Sequence, residues 1–132
     1  MFNTAKDVLV ISIGAIFGAN ARWIISRYLA KVIGPVFPYG TLVINIVGSF
    51  IVGFFMVWAT ERVLLDPRWR LLVVVGFCGA LTTFSTVQVQ LLQLLDAGRD
   101  GVAAGYVVAS LAAGYAGVLL ATALVRRTRV VV

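Results

Sequence analysis

Four long runs of mostly apolar residues, at about 8–30, 40–59, 71–95 and 101–125, constrain this chain more than anything else in it. A bilayer core is crossed by roughly 20 consecutive apolar residues in helical form, and each run meets that length. Charged residues make up only 12 % of the 132 residues, against about 25 % in an ordinary soluble domain. Too few polar groups are present to cover a water-facing surface. The chain is therefore read as an all-α membrane protein of four transmembrane helices, a single domain over 1–132 with short connections. The first run is too long for the apolar segment of a signal peptide and is taken as a retained helix.

The charges mark the ends of the spans. Eleven basic and five acidic residues give a net charge of +6, but no basic patch with interleaved aromatics exists, so nucleic acid is not an expected partner. An even number of spans places both termini on one side, with Lys6, Arg62, Arg68, Arg70, Arg126, Arg127 and Arg129. The other side carries Arg22, Arg27, Lys31 and Arg99. This bias leans weakly towards cytoplasmic termini and leaves insertion in both orientations open. The single cysteine, Cys78, and the lack of histidine exclude an intrachain disulfide and any side-chain metal spacing; Cys78 reads as a small apolar packer.

The third run is the irregular one. Its stretch GFCGALTTFST, Gly76 to Thr86, sets hydroxyls around Phe84 where lipid-facing residues are expected. Glycine costs about 1 kcal/mol in a helix interior, and broken backbone at membrane depth survives only where protein buries it or a wet cavity receives it. A break near the middle of this helix, at Gly76, Gly79 and Thr82–Thr83, is one expectation; glycines kept for close helix packing are the other. Polar stripes occur elsewhere too. Thr41, Asn45 and Ser49 repeat at i, i+4 on one face of the second run, as do Tyr106 and Ser110 in the fourth. Such residues either glue helices together or line a pathway.

All five acids, Asp7, Glu61, Asp66, Asp96 and Asp100, lie at or near span ends. Proton-coupled carriers place carboxylates or histidines inside the membrane, so a small proton-coupled multidrug carrier is the weaker alternative. Neutral N–H and O–H donors, with the weakly positive edge of the Phe84 ring, suit an anion. Arg22, inside the first run, either snorkels to the interface or supplies a fixed charge in a vestibule. Gly14 and Gly18 form a small-residue ridge suited to helix packing. No catalytic triad, metal cluster or phosphate loop is present, which excludes an enzyme.

Three motifs, GAIFGANARW in the first helix, GTLVINIVGSF in the second and GFCGALTTFST in the third, resemble in order and spacing the Fluc (CrcB) family of fluoride channels. The resemblance covers nearly the whole chain. It implies passive export of fluoride across the cell (inner) membrane, giving fluoride resistance, by an antiparallel dual-topology dimer with two pores along its interface. It implies a structural sodium ion (Na+) at the dimer centre, held by backbone carbonyls of Gly79 and Thr83. Carried over residue by residue, Asn45, Phe84, Ser110, Tyr106 and Thr41 are expected along the fluoride pore and Arg22 in the vestibule. Thr86 and Gln88 join the expected lining. The chain also departs from the family pattern: Val87 stands where a second pore phenylalanine is usual, Gln88 where a serine is, and Gln90 where a glutamate is. Gln88, one turn from Phe84, offers a substitute donor. Pairing with a paralogue as a heterodimer is the alternative to a homodimer.

Overall fold

The computed structural model of the protein describes residues 4–61 and 65–128. Every regular element among them is helical. Helix α1 spans Thr4–Ile33 and α2 spans Tyr39–Glu61. Helix α3 covers residues 67–81 in three parts: one α-turn at Pro67–Arg70, a wide π-helical stretch at Leu71–Cys78, and a final α-turn at Gly79–Leu81. Helix α4 spans Ser85–Asp96 and α5 spans Asp100–Arg127. Helices α3 and α4 together make the third of four helical segments long and apolar enough to cross a membrane.

Each segment is longer than its apolar run, because charged and polar residues carry on the helix at both ends. At 1.5 Å per residue the 30 residues of α1 reach about 45 Å, well beyond a hydrocarbon core of about 30 Å. Local signals stop and start the helices. Gly34, at φ +108, ends α1 ahead of Pro35. The Asp66 carboxylate accepts the Arg68 N–H at 2.9 Å and caps α3, with Pro67 in the first turn. Gly98, at φ +68, closes α4: its N–H bonds the Leu95 carbonyl at 2.9 Å while the Arg99 N–H reaches back to Leu94 at 2.9 Å.

Glycines set how closely the helices approach. A Cβ on Gly14 would overlap the Leu72 carbonyl oxygen and lie 2.8 Å from the Phe77 nitrogen. One on Gly18 would overlap the Phe77 carbonyl oxygen and sit 3.1 Å from the Leu81 nitrogen. Gly76 meets the same contact from the α3 side, its Cβ position 3.0 Å from Gly14 Cα. Gly76 therefore does not break the helix; it lets the π-helical stretch lie against α1. Gly79 differs, since a Cβ there would meet only its own helix, at 3.8 Å from Val74 O.

Helix α2 packs along α5, with Gly53 beside Val118 and Gly117 beside Ile46. Val87, Leu94, Ala103 and Tyr106 form a buried cluster between α4 and α5, flanked by Phe37 and Leu42. Cys78 is buried as well. At the end that holds the termini, Arg126 forks onto Glu61, with Nη2 2.8 Å from Oε1, and Arg68 approaches Asp7 at 3.8 Å. Arg62 and Arg129, counted among the basic residues of this end, lie outside the described residues.

Candidate functional site

The site is built around the gap between α3 and α4. Thr82 is extended, at φ −82 and ψ 157, and regular helix resumes only at Ser85. Threonine tolerates this departure because its hydroxyl can satisfy local backbone groups. Thr82 Oγ1 donates to the Cys78 carbonyl at 2.9 Å, which finishes α3. Thr83 Oγ1 accepts the Thr86 N–H at 3.2 Å and donates to Thr86 Oγ1 at 2.9 Å. Thr83, one residue ahead of the N-cap position at Phe84, thus satisfies a first-turn amide of the second half-helix that Phe84 itself has no side-chain acceptor to bond.

Asn45 of α2 holds this gap. Its Oδ1 accepts the Thr83 N–H at 2.9 Å, and its Nδ2 donates to the Thr83 carbonyl at 3.1 Å. In an unbroken helix the Thr83 N–H would bond the Gly79 carbonyl and the Thr86 N–H the Thr82 carbonyl. Both donors are diverted, so those two carbonyls leave the ladder. Ser49, the next member of the stripe, donates back to the Asn45 carbonyl at 2.7 Å. Gly48, between them, gives room to the Thr82 methyl.

Thr41, the other end of the stripe, belongs to a second network. Gln90 Nε2 donates to Thr41 Oγ1 at 2.9 Å, and the Tyr106 hydroxyl donates to Gln90 Oε1 at 2.8 Å. Tyr106 is 0 % exposed and packs its ring edge-on against Phe37. One amide therefore joins α2, α4 and α5. We expect Gln90→Leu to remove both of these bonds and leave the Thr41 and Tyr106 hydroxyls only each other as side-chain partner, at about 1–3 kcal/mol in all. A thermal midpoint in detergent indistinguishable from that of the parent chain would mean the bridge contributes nothing.

Two cavities lie along this polar line. A groove of about 360 Å³ at the gap is lined by Asn45, Ser49, Thr82, Thr83 and Phe84, with Gly48, Val52 and Val118 completing its wall. Nearer the end opposite the termini, a cleft of about 370 Å³ takes in Ser26, Thr41, Gln90, Gln93 and Arg99. The structure places the remaining residues singled out from sequence as follows. Phe84 is 80 % exposed at the groove, and Gln88 and Thr86 are exposed on α4. Val87 points the other way, buried against Leu94 and Tyr106, so a change of size there acts on the core. Ser110 Oγ is buried and, among the described residues, is the side-chain atom of this kind that finds no partner. Arg22 is half-buried on α1, one turn before Ser26, and lines neither cavity. Gly79 is exposed at the end of α3.

Sequence reasoning passed over Gln90 as a site residue and gave Arg99 only a topological role. Their partners, Thr41 and Val36, are 49 and 63 residues away, and no local pattern announces such pairs.

Comparison with known proteins gives this arrangement a family. Residues 9–122 match the CrcB-like protein family, described as Camphor Resistance (CrcB). A fluoride-specific ion channel FluC of Koribacter versatilis is 50 % identical over 121 residues, covering 92 % of this chain and 96 % of that protein. One from a Roseiflexus species is 41 % identical over 91 % of this chain and 97 % of its own. Fluoride-specific ion channel FluC 1 of Yersinia pestis is 40 % identical over 95 % of each. With the match running through all four spanning segments, the chain belongs to the CrcB-like family.

Proposed function

We infer that this protein is a fluoride-specific ion channel and not an enzyme. The observation that carries the reading is half-identity, over nearly the full length, to a relative named for that activity. The geometry supplies the physical reason. Small, strongly hydrated fluoride crosses a membrane only where protein donors replace its water. The groove at the gap has such a donor in the second Nδ2 hydrogen of Asn45, and the hydroxyl of Thr86 stands exposed on the first turn of α4, outside the groove's lining. The first amides of α4 other than that of Thr86, which Thr83 Oγ1 already accepts, add to them, since an N-terminal turn leaves its N–H groups without intrahelical partners and carries partial positive charge. Half-helix N-termini at membrane depth serve anionic groups in this way. Phe84 presents its ring beside these donors, and Thr41, Tyr106 and Ser110 continue the polar line along the bundle. All of the groove's polar lining residues are uncharged, so the ion meets no competing carboxylate.

A second copy of the chain in antiparallel orientation completes the pathway in this reading, as a homodimer in the cell (inner) membrane that exports fluoride. Three features support it: the exposed Phe84, the open space at Gly79 and the orphaned Ser110 hydroxyl. The donor set at the gap also fits a small, hard cation such as sodium. Carbonyl oxygens can replace such an ion's hydration shell, the Gly79 carbonyl has left the ladder, and nothing crowds Gly79. Gly79 and Thr83 are the residues that would hold the ion, although the Thr83 carbonyl already accepts the Asn45 amide. One chain offers too few oxygens, and a two-fold partner doubles them. Bound there, the cation supplies positive charge that ties the broken helices together.

The test is fluoride efflux from liposomes holding only this purified chain, with chloride as control. Rapid loss of fluoride with chloride retained is the expected result. A folded protein that passes neither ion, or both alike, rejects the reading.

A further inference from the structure

We propose that Arg99 collects anions for the pathway, drawing fluoride into the cleft that leads to Thr41. The inference rests on the fluoride-channel reading above. Arg99 sits in the turn between α4 and α5, held by the Arg99 N–H to Leu94 bond and by the Ala103 N–H on its own carbonyl, both 2.9 Å. Its side chain reaches across the mouth of the cleft, where Nη1 donates to the Val36 carbonyl at 3.2 Å. That contact uses one of five guanidinium N–H donors. Among the described residues no carboxylate pairs with Arg99, although Asp96 and Asp100 flank it in sequence.

The cleft itself makes that charge count. Neither Asp96 nor Asp100 lines it, and no lining residue is acidic. Its inner wall is neutral and polar, with Ser26, Thr41, Gln90 and Gln93, while Pro35, Phe37 and Leu94 make the low-dielectric sides. A concave site lined by one sign of charge and walled by apolar groups concentrates counter-ions and speeds their entry. Lys31, exposed on the last turn of α1, adds to the field at the same end. The hydrogen bond to Val36 fixes the guanidinium at the rim instead of letting it swing into solvent.

The experiment measures fluoride efflux of the full chain at low and high internal fluoride, in low and high concentrations of an impermeant potassium salt. Arg99→Gln is expected to lower efflux about threefold to tenfold at low fluoride and low salt. The deficit should close as salt shortens the screening length from about 30 Å at 0.01 M to about 3 Å at 1 M, and also as fluoride saturates entry. Arg99→Lys, which keeps the charge, should retain most of the flux. Ala97→Glu, also on the cleft wall, should produce the same salt-dependent loss with the bond to Val36 intact, and it carries the test if Arg99→Gln does not fold. Efflux by Arg99→Gln and Ala97→Glu equal to the parent chain at low salt overturns the proposal. So does a deficit that is the same at every salt and fluoride concentration and is shared by Arg99→Lys, which would make Arg99 a loop brace. A parent chain that is itself silent overturns the channel reading and this inference together; an active parent with unaltered variants overturns this inference alone.

Discussion

Asn45→Asp is expected to cut fluoride efflux at neutral pH at least a hundredfold. The substitution keeps the size of the side chain and an oxygen to accept the Thr83 N–H, now bonded at 2.9 Å. It removes the Nδ2 donor that holds the Thr83 carbonyl at 3.1 Å, and sets oxygen against oxygen there. It also places a negative charge in the groove where the anion would pass. Two like charges 4 Å apart repel by roughly 4 kcal/mol at an effective dielectric of 20, close to a thousandfold in rate. Purified variant that stays monodisperse yet passes fluoride within threefold of the parent would remove Asn45 from the pathway. Loss of flux with loss of monodispersity would instead make the amide chiefly a structural clamp on the gap.

The largest effect on stability is expected from Gly18→Ala. The new methyl would overlap the Phe77 carbonyl oxygen and fall 3.0 Å from its carbon and 3.1 Å from the Leu81 nitrogen. All of these are backbone atoms, so no rotamer change relieves the clash. Overpacking typically costs 1–3 kcal/mol where side chains can move, and this contact belongs at or above about 3 kcal/mol. Helix α1 must then separate from α3 just ahead of the gap, so fluoride flux should fall along with the thermal midpoint in detergent. Gly101→Ala is the control, because a Cβ there meets nothing within 4 Å. Equal midpoints for the two variants would show that the α1–α3 contact is more yielding than its geometry implies.

The sequence by itself determined the four spans, because a bilayer core demands long uncharged helices and the chain has four such runs. It also determined where several of their helices start or stop. Gly34 before Pro35, Asp66 before Pro67, and Gly98 are local signals whose geometry needs no distant partner. The Thr41–Asn45–Ser49 stripe was legible for the same reason: a 3.6-residue period puts the three residues on one face whatever lies opposite. What lies opposite was decided only by the tertiary structure. Gly76 and Gly79 looked alike in sequence, yet one is pressed against α1 and the other stands open. The gap itself falls at Thr82 to Phe84, where a side-chain amide from another helix captures the Thr83 backbone. Val87 turned inward and Gln90 bridged Thr41 to Tyr106 through contacts spanning 49 and 16 residues. Propensity and periodicity act over a turn or two of chain, whereas these bonds depend on which helix faces come together.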